Sequence, residues 1–194
     1  METEDAETLD DKTLPASAQV RSATFADSTG RGLAAARRLD QGEAVVSVPI
    51  ETCFHDSPSR PHAASREPEL ASLVAKGAQL TELDAVALQL LVERAKGERS
   101  PRAAHIACIP KAYDTTLFWS AEELDELRGS PWLEVAQRYA DELAADWASL
   151  LSQPGVANFV RDRAIGYKDY MWAYATFKSR AAECRVDGAP LRLL

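Results

Sequence analysis

The apolar pattern of this chain changes its period once, near Leu70, and that change restricts the fold to a small β unit joined to a larger helical one. Up to Pro49 the chain runs in short apolar segments cut by glycine: VRSATFAD, STGRG, LAAARRL, DQGE and AVVSVPI. Such segments predict three short strands with tight connections, the clearest turn falling at Asp40 to Glu43. Ala44 to Val48 is almost continuously apolar, the pattern of a strand covered on both faces, and Pro49 ends it. Pro58, Pro61 and Pro68 then predict a loop from Thr52 to Pro68.

Beyond the loop the period is helical. Thr81 caps a helix whose apolar positions are Leu83, Ala87, Leu90 and Leu91, and Gly97 stops it. The stretch from Ser100 to Asp114 is proline-bounded and reads as an extended segment that packs Ile106 and Ile109. Ser120 and Glu123 have capping-box spacing ahead of a short helix. Gly129-Ser130-Pro131 closes that helix and opens a long one, with Ser130 as cap and Pro131 in its first turn. The long helix buries Ala136, Tyr139 or Ala140, Leu143, Trp147 and Leu150 or Leu151, and ends before Gln153-Pro154-Gly155. A last helix near Tyr167 to Ala182 places Tyr170, Met171, Tyr174 and Phe177 on adjoining faces.

Composition narrows the function classes. Twenty-two Lys and Arg against 30 Asp and Glu give a net charge of −8, which opposes attraction to a phosphate backbone and argues against nucleic acid as a partner. No apolar run approaches the roughly 18 residues of a membrane span, so the expected protein is soluble and globular with no membrane partner. Cys53, Cys108 and Cys184 are too far apart for a disulfide framework or a metal knuckle, which suits a reducing compartment. Six acids precede Lys12, with no basic or apolar leader pattern, so residues 1–19 are expected to be a disordered acidic tail and the compartment cytoplasmic or nuclear.

Few residues advertise chemistry. His55, His62 and His105 lack metal-ligand spacing, and we expect no metal site. Neither a phosphate loop nor a nucleophile elbow occurs. Thr29-Gly30-Arg31-Gly32-Leu33 lets the backbone turn and approach a ligand closely, although a GxG of this kind also serves as a plain hairpin turn. Glu93-Arg94 reads as a helix end, and the aromatics of the last helix as core. Trp119, Trp132, Trp147 and Trp172 allow a different reading, in which the helical region is a non-catalytic protein-binding module.

Taken in order, three segments resemble one family. GRGLAAARRLDQGEAVVSVPIE resembles the opening of the SET domain in the Rubisco large-subunit methyltransferase and SET-domain histidine methyltransferase group. LQLLVERAKGERSPRAAHIACIPKAYDTTLFWSAEEL is similar to that group's ER helix, its LP-x-x-Y-D-T element and the acidic helix that follows, and YKDYMWAYATFKSRA to its aromatic helix ending in Ser-Arg. The resemblance runs from about Arg21 to Arg180. It implies an α+β fold: an N-terminal SET β unit and loop over 20–69, a helical insert over 70–182, and the start of a return into the SET core over 183–194.

It also implies a protein methyltransferase that uses S-adenosylmethionine on lysine or histidine nitrogen of a protein substrate. Thr29, Gly30 and Arg31 match the loop that contacts the cofactor, and Arg180 matches an arginine with the same duty. The group's Asn-His segment and its methyl-facing tyrosine fall beyond Leu194, so the second half of the SET core is expected to be absent and the chain to be an incomplete enzyme or a truncated remnant. No catalytic residue is assigned: Tyr113, Tyr139, Tyr167, Tyr170 and Tyr174 belong to the insert and read as packing residues.

Overall fold

The computed structural model describes residues 19–25, 30–49, 52–54, 68–186 and 189–194, and the chain divides into two units, Met1–Pro49 and Ile50–Leu194. The acidic tail expected over residues 1–19 lies, but for Gln19, outside the described residues.

In the first unit, β1 (Val20–Phe25) and β2 (Gly30–Ala35) form an antiparallel pair, with Val20 opposite Ala35 and Phe25 opposite Gly30. The expected turn at Asp40 to Glu43 is present, with Gly42 at φ 84°, a left-handed conformation that costs glycine nothing. Glu43 closes the turn by accepting the Asp40 N–H at 3.1 Å and by an ion pair with Arg37. That guanidinium, and then the Asp40 N–H, hold the Glu43 carboxyl below its ordinary value.

The third expected strand does not form. Ala44 to Val48 is unpaired, and Val45, Val46 and Val48 are 41%, 53% and 59% exposed. Apolar composition suits a sheet interior, but a strand also needs a hydrogen-bonding neighbour, and among the described residues this run has none.

The second unit is built on two helices, α2 (Glu82–Lys96) and α7 (Tyr167–Arg180), which pack against each other. Around them lie α1 (Pro68–Ala75), α3 (Ala103–Cys108), α4 (Ala121–Asp125), α5 (Pro131–Ser152) and α6 (Val156–Arg161). A hairpin of β3 (Ala182–Val186) and β4 (Ala189–Leu193) follows α7. Capping follows the sequence closely: Thr81 with Asp84, Ser120 with Glu123, and Ser130 ahead of Pro131. The buried stripe of α5 is Ala136, Leu143 and Leu150, with Tyr139, Trp147 and Leu151 packed at its margins.

Two local readings change. The segment after Ser100 contains a helix where an extended run was expected, because AAHIAC carries strong helix formers and its prolines, Pro101 and Pro110, stand outside it. The helices α1 and α6 were not anticipated as elements; each is short, and its apolar residues turn to the common core through Leu70, Leu73, Val156, Phe159 and Val160.

Because α2 and α7 are buried on most sides, the ionisable and hydroxyl groups named next find their partners inside the protein. Asp84 accepts the Tyr170 hydroxyl at 2.9 Å while its other oxygen accepts the Thr81 hydroxyl at 2.6 Å and the Thr81 N–H at 3.0 Å. Burial, reinforced by Asp84, raises the Tyr170 phenol well above its ordinary value. At the other end of α2, the Glu93 side chain is 3% exposed; it accepts from the Ser100 hydroxyl and, at 2.8 Å, from Lys96, and lies 3.9 Å from Arg102. Arg102 in turn reaches the Thr52 carbonyl at 3.4 Å and lies 4.5 Å over the Phe54 ring. Phe54 is fully buried, lies tilted against the His105 ring, and exchanges two 2.8 Å backbone hydrogen bonds with Leu194.

Tyr170→Phe leaves a buried Asp84 oxygen without its donor, and urea denaturation is expected to show a loss of about 1–2 kcal/mol. A second expectation concerns pH. Burial, and then the Arg102 charge, push the His105 imidazole below 6.5, so it is neutral when folded and takes up a proton near 6.5 when unfolded. The stability it contributes is present above pH 6.5 and drains as pH falls through the folded value. Between pH 7.5 and 5 the wild type should therefore lose more stability than His105→Gln, measured by urea midpoints; equal losses would sink the assignment.

Candidate functional site

Gly30 and Arg31 open β2, opposite Phe25 and Thr24, at the mouth of the β1–β2 hairpin; Thr29 lies outside the described residues. A two-stranded ladder leaves an outer row of N–H and C=O groups on each strand, so the backbone here has groups to offer a ligand. The second glycine of the motif has a packing duty. A side-chain carbon at Gly32 would come within 3.1 Å of the Phe25 ring, so Gly32 lets Phe25 fold back across the hairpin.

Arg180 stands in the second unit as the last residue of α7, exposed to solvent. Lys178 and Arg180 in the last turn complement the helix's negative end. Among the described residues Arg180 makes no ion pair, which leaves its planar fork available to a carboxylate. The chain is continuous from Arg180 through Ala181 into β3, so the guanidinium sits where helix turns into sheet.

The tyrosines have structural partners. Tyr170 serves Asp84, Tyr113 donates to Thr176 at 3.0 Å, and the Tyr139 and Tyr174 rings lie 5.8 Å apart. Tyr167 lies beside a cleft near the start of α7. The tryptophans divide: Trp172 is buried and Trp147 packs on Tyr170, whereas Trp119 borders two surface clefts and Trp132 is 66% exposed. His55 and His62 lie outside the described residues.

Sequence reasoning passed over two roles. Glu93, read as a plain helix end, is the buried acceptor that ties α2 to Ser100, Lys96 and Arg102. Arg94, its neighbour, lies 4.2 Å over the Trp172 ring and 3.6 Å from Asp169. The signal was their place in an otherwise apolar helix: neighbours there point about 100° apart, so one can face the core while the other does not, and a core-facing glutamate requires donors nearby.

Among the described residues no helix is long and apolar enough to cross a membrane. No protein-family model matches the chain. Curated relatives do. The chain is 27% identical over 164 residues to the actin-histidine N-methyltransferase of Drosophila melanogaster, covering 77% of this chain and 29% of that protein. It is 30% identical over 153 residues to the chloroplastic ribulose-1,5 bisphosphate carboxylase/oxygenase large subunit N-methyltransferase of Nicotiana tabacum, covering 78% and 29%. The [fructose-bisphosphate aldolase]-lysine N-methyltransferase of Arabidopsis thaliana is 28% identical, with 85% and 32% covered. The chain thus spans under a third of the length of these relatives.

Among solved structures, the SET domain of LSMT bound to lysine and AdoHcy superposes with a TM-score of 0.74 over 93% of this chain and 39% of that one, at 23% identity. Rubisco LSMT bound to sinefungin and monomethyllysine gives 0.70 over 87% and 37%, at 24% identity. Sequence and fold together make this chain a relative of the SET-domain methyltransferases of the Rubisco large-subunit and actin-histidine group, of whose SET domain it carries a part.

Proposed function

We infer that the chain is part of a protein N-methyltransferase that uses S-adenosylmethionine and acts on lysine or histidine in a protein substrate. The observation that carries this reading is the SET-fold likeness over 93% of the chain, with the sequence relatives falling in the same group. The residues present suit the cofactor. Arg180 is an exposed guanidinium with no ion-pair partner among the described residues, fitted to a carboxylate, and Gly30 and Arg31 offer backbone groups at a hairpin mouth. When bound, the cofactor supplies a sulfonium methyl to an amine or imidazole nitrogen.

The chain's own residues orient rather than react. Arg180 holds the carboxylate end. A substrate lysine, with an ordinary pKa near 10.4, attacks only after losing its proton, which calls for a dry channel around it. The hydroxyls of Tyr113 and Tyr170 are committed to Thr176 and Asp84, which supports assigning neither to that channel.

Equilibrium dialysis with labelled S-adenosylmethionine tests the assignment. Weak binding is expected, and Arg180→Ala should weaken it further by about tenfold, the size of a lost charge-assisted hydrogen bond, while Lys178→Ala leaves it unchanged. Equal affinity of Arg180→Ala and wild type would remove the cofactor role from this residue.

A further inference from the structure

A second site lies on the helical unit, and its chemistry is independent of the cofactor reading. A cleft of about 510 Å³ opens at the start of α7, bordered by the cations Arg94, Lys111 and Lys168 and by one carboxylate, Asp169. Asp169 is already engaged: one oxygen lies 3.6 Å from Arg94 and the other accepts the Gly166 N–H at 3.0 Å as the helix cap. Among the described residues Lys111 and Lys168 make no ion pair. In a chain of net charge −8, three cations around one committed carboxylate form a local reversal of sign.

The apolar lining is held in place. Trp172 donates its indole N–H to the Pro110 carbonyl at 2.8 Å and supports the Arg94 guanidinium on its face. Trp119 donates to Asp114 at 2.9 Å, so both indoles spend their polar atoms inside the protein. Phe118, 36% exposed, borders the same cleft. The result is a preorganised aromatic surface rimmed by cations, with Arg94 fixed in advance by stacking and by Asp169.

We propose that this cleft binds an acidic segment of a partner protein, with an aromatic or apolar side chain against Trp119 and Phe118 and carboxylates at Arg94, Lys111 and Lys168. Charge complementarity selects this class. A short peptide senses the local cations, because fields of distant charges fade beyond about 8 Å at physiological salt. A long polyphosphate also meets the acidic remainder of the molecule, which disfavours nucleic acid.

Fluorescence anisotropy on the full chain, with a fluorescein-labelled peptide of alternating glutamate and phenylalanine, tests this. The peptide should bind at least about tenfold more tightly than its glutamine counterpart. Lys111→Glu with Lys168→Glu should lower that affinity by about tenfold or more without changing the melting temperature, since both side chains are exposed. The matched charge change Arg138→Glu with Arg161→Glu, elsewhere on the surface, should leave binding nearly intact. Equal affinity for the two peptides, absence of binding, or equal losses in the two double variants would overturn the proposal. So would a single-stranded oligonucleotide of matched charge that binds more tightly and is lost in the Lys111/Lys168 variant.

Discussion

The helical unit depends on the packing of α2 against α7, two helices that have almost no solvent face along much of their length. A helix in that position contributes apolar area on every side, at about 25 cal/mol per Å² removed from water, and makes a polar group without a partner costly. The named interactions of the unit follow from that restriction. Asp84 caps α2 and receives Tyr170; Thr176 receives Tyr113 and donates to the Trp172 carbonyl at 2.8 Å; Glu93 collects Ser100, Lys96 and Arg102. Two of them, Tyr170 with Asp84 and Tyr113 with Thr176, join elements far apart in sequence, so they set which faces meet as well as holding them together.

The same restriction explains why the two neighbours Glu93 and Arg94 have unlike duties. Glu93 points inward and is consumed by structure, whereas Arg94 points outward over Trp172 and joins a cationic rim. Chemistry available to a ligand lies on the outward residues: Arg94 at one end of the unit's central pair, and Arg180 at the C-terminal end of α7.

Local signals were read well from sequence and non-local ones poorly. Thr81, Ser120 and Ser130 cap the helices they precede, because capping involves only residues two or three positions apart. The stripe of α5 was legible because one face is wet and one dry, while α2 and α7 were only half read, since a helix buried all round shows no strong stripe. Ala44 to Val48 misled because strand pairing is decided by a distant neighbour. The β3–β4 pair was not read from the sequence, where 183–194 stood only as the start of a return into the SET core. Of the candidate site, Gly30, Arg31 and Arg180 came from family likeness; the cleft around Arg94 requires knowing that Lys111 and Trp119 come beside the start of α7, which no local pattern encodes.

The backbone bonds between Phe54 and Leu194 join the two extremes of the helical unit. The two residues bond in both directions, as opposite residues of an antiparallel ladder do, so segments remote in sequence meet side by side there. Pairing such remote residues also closes a very long loop, at an entropic cost that grows only slowly with loop length. In evolutionary terms, surface loops between the two can lengthen or shorten as long as the shared core and that one pairing are kept.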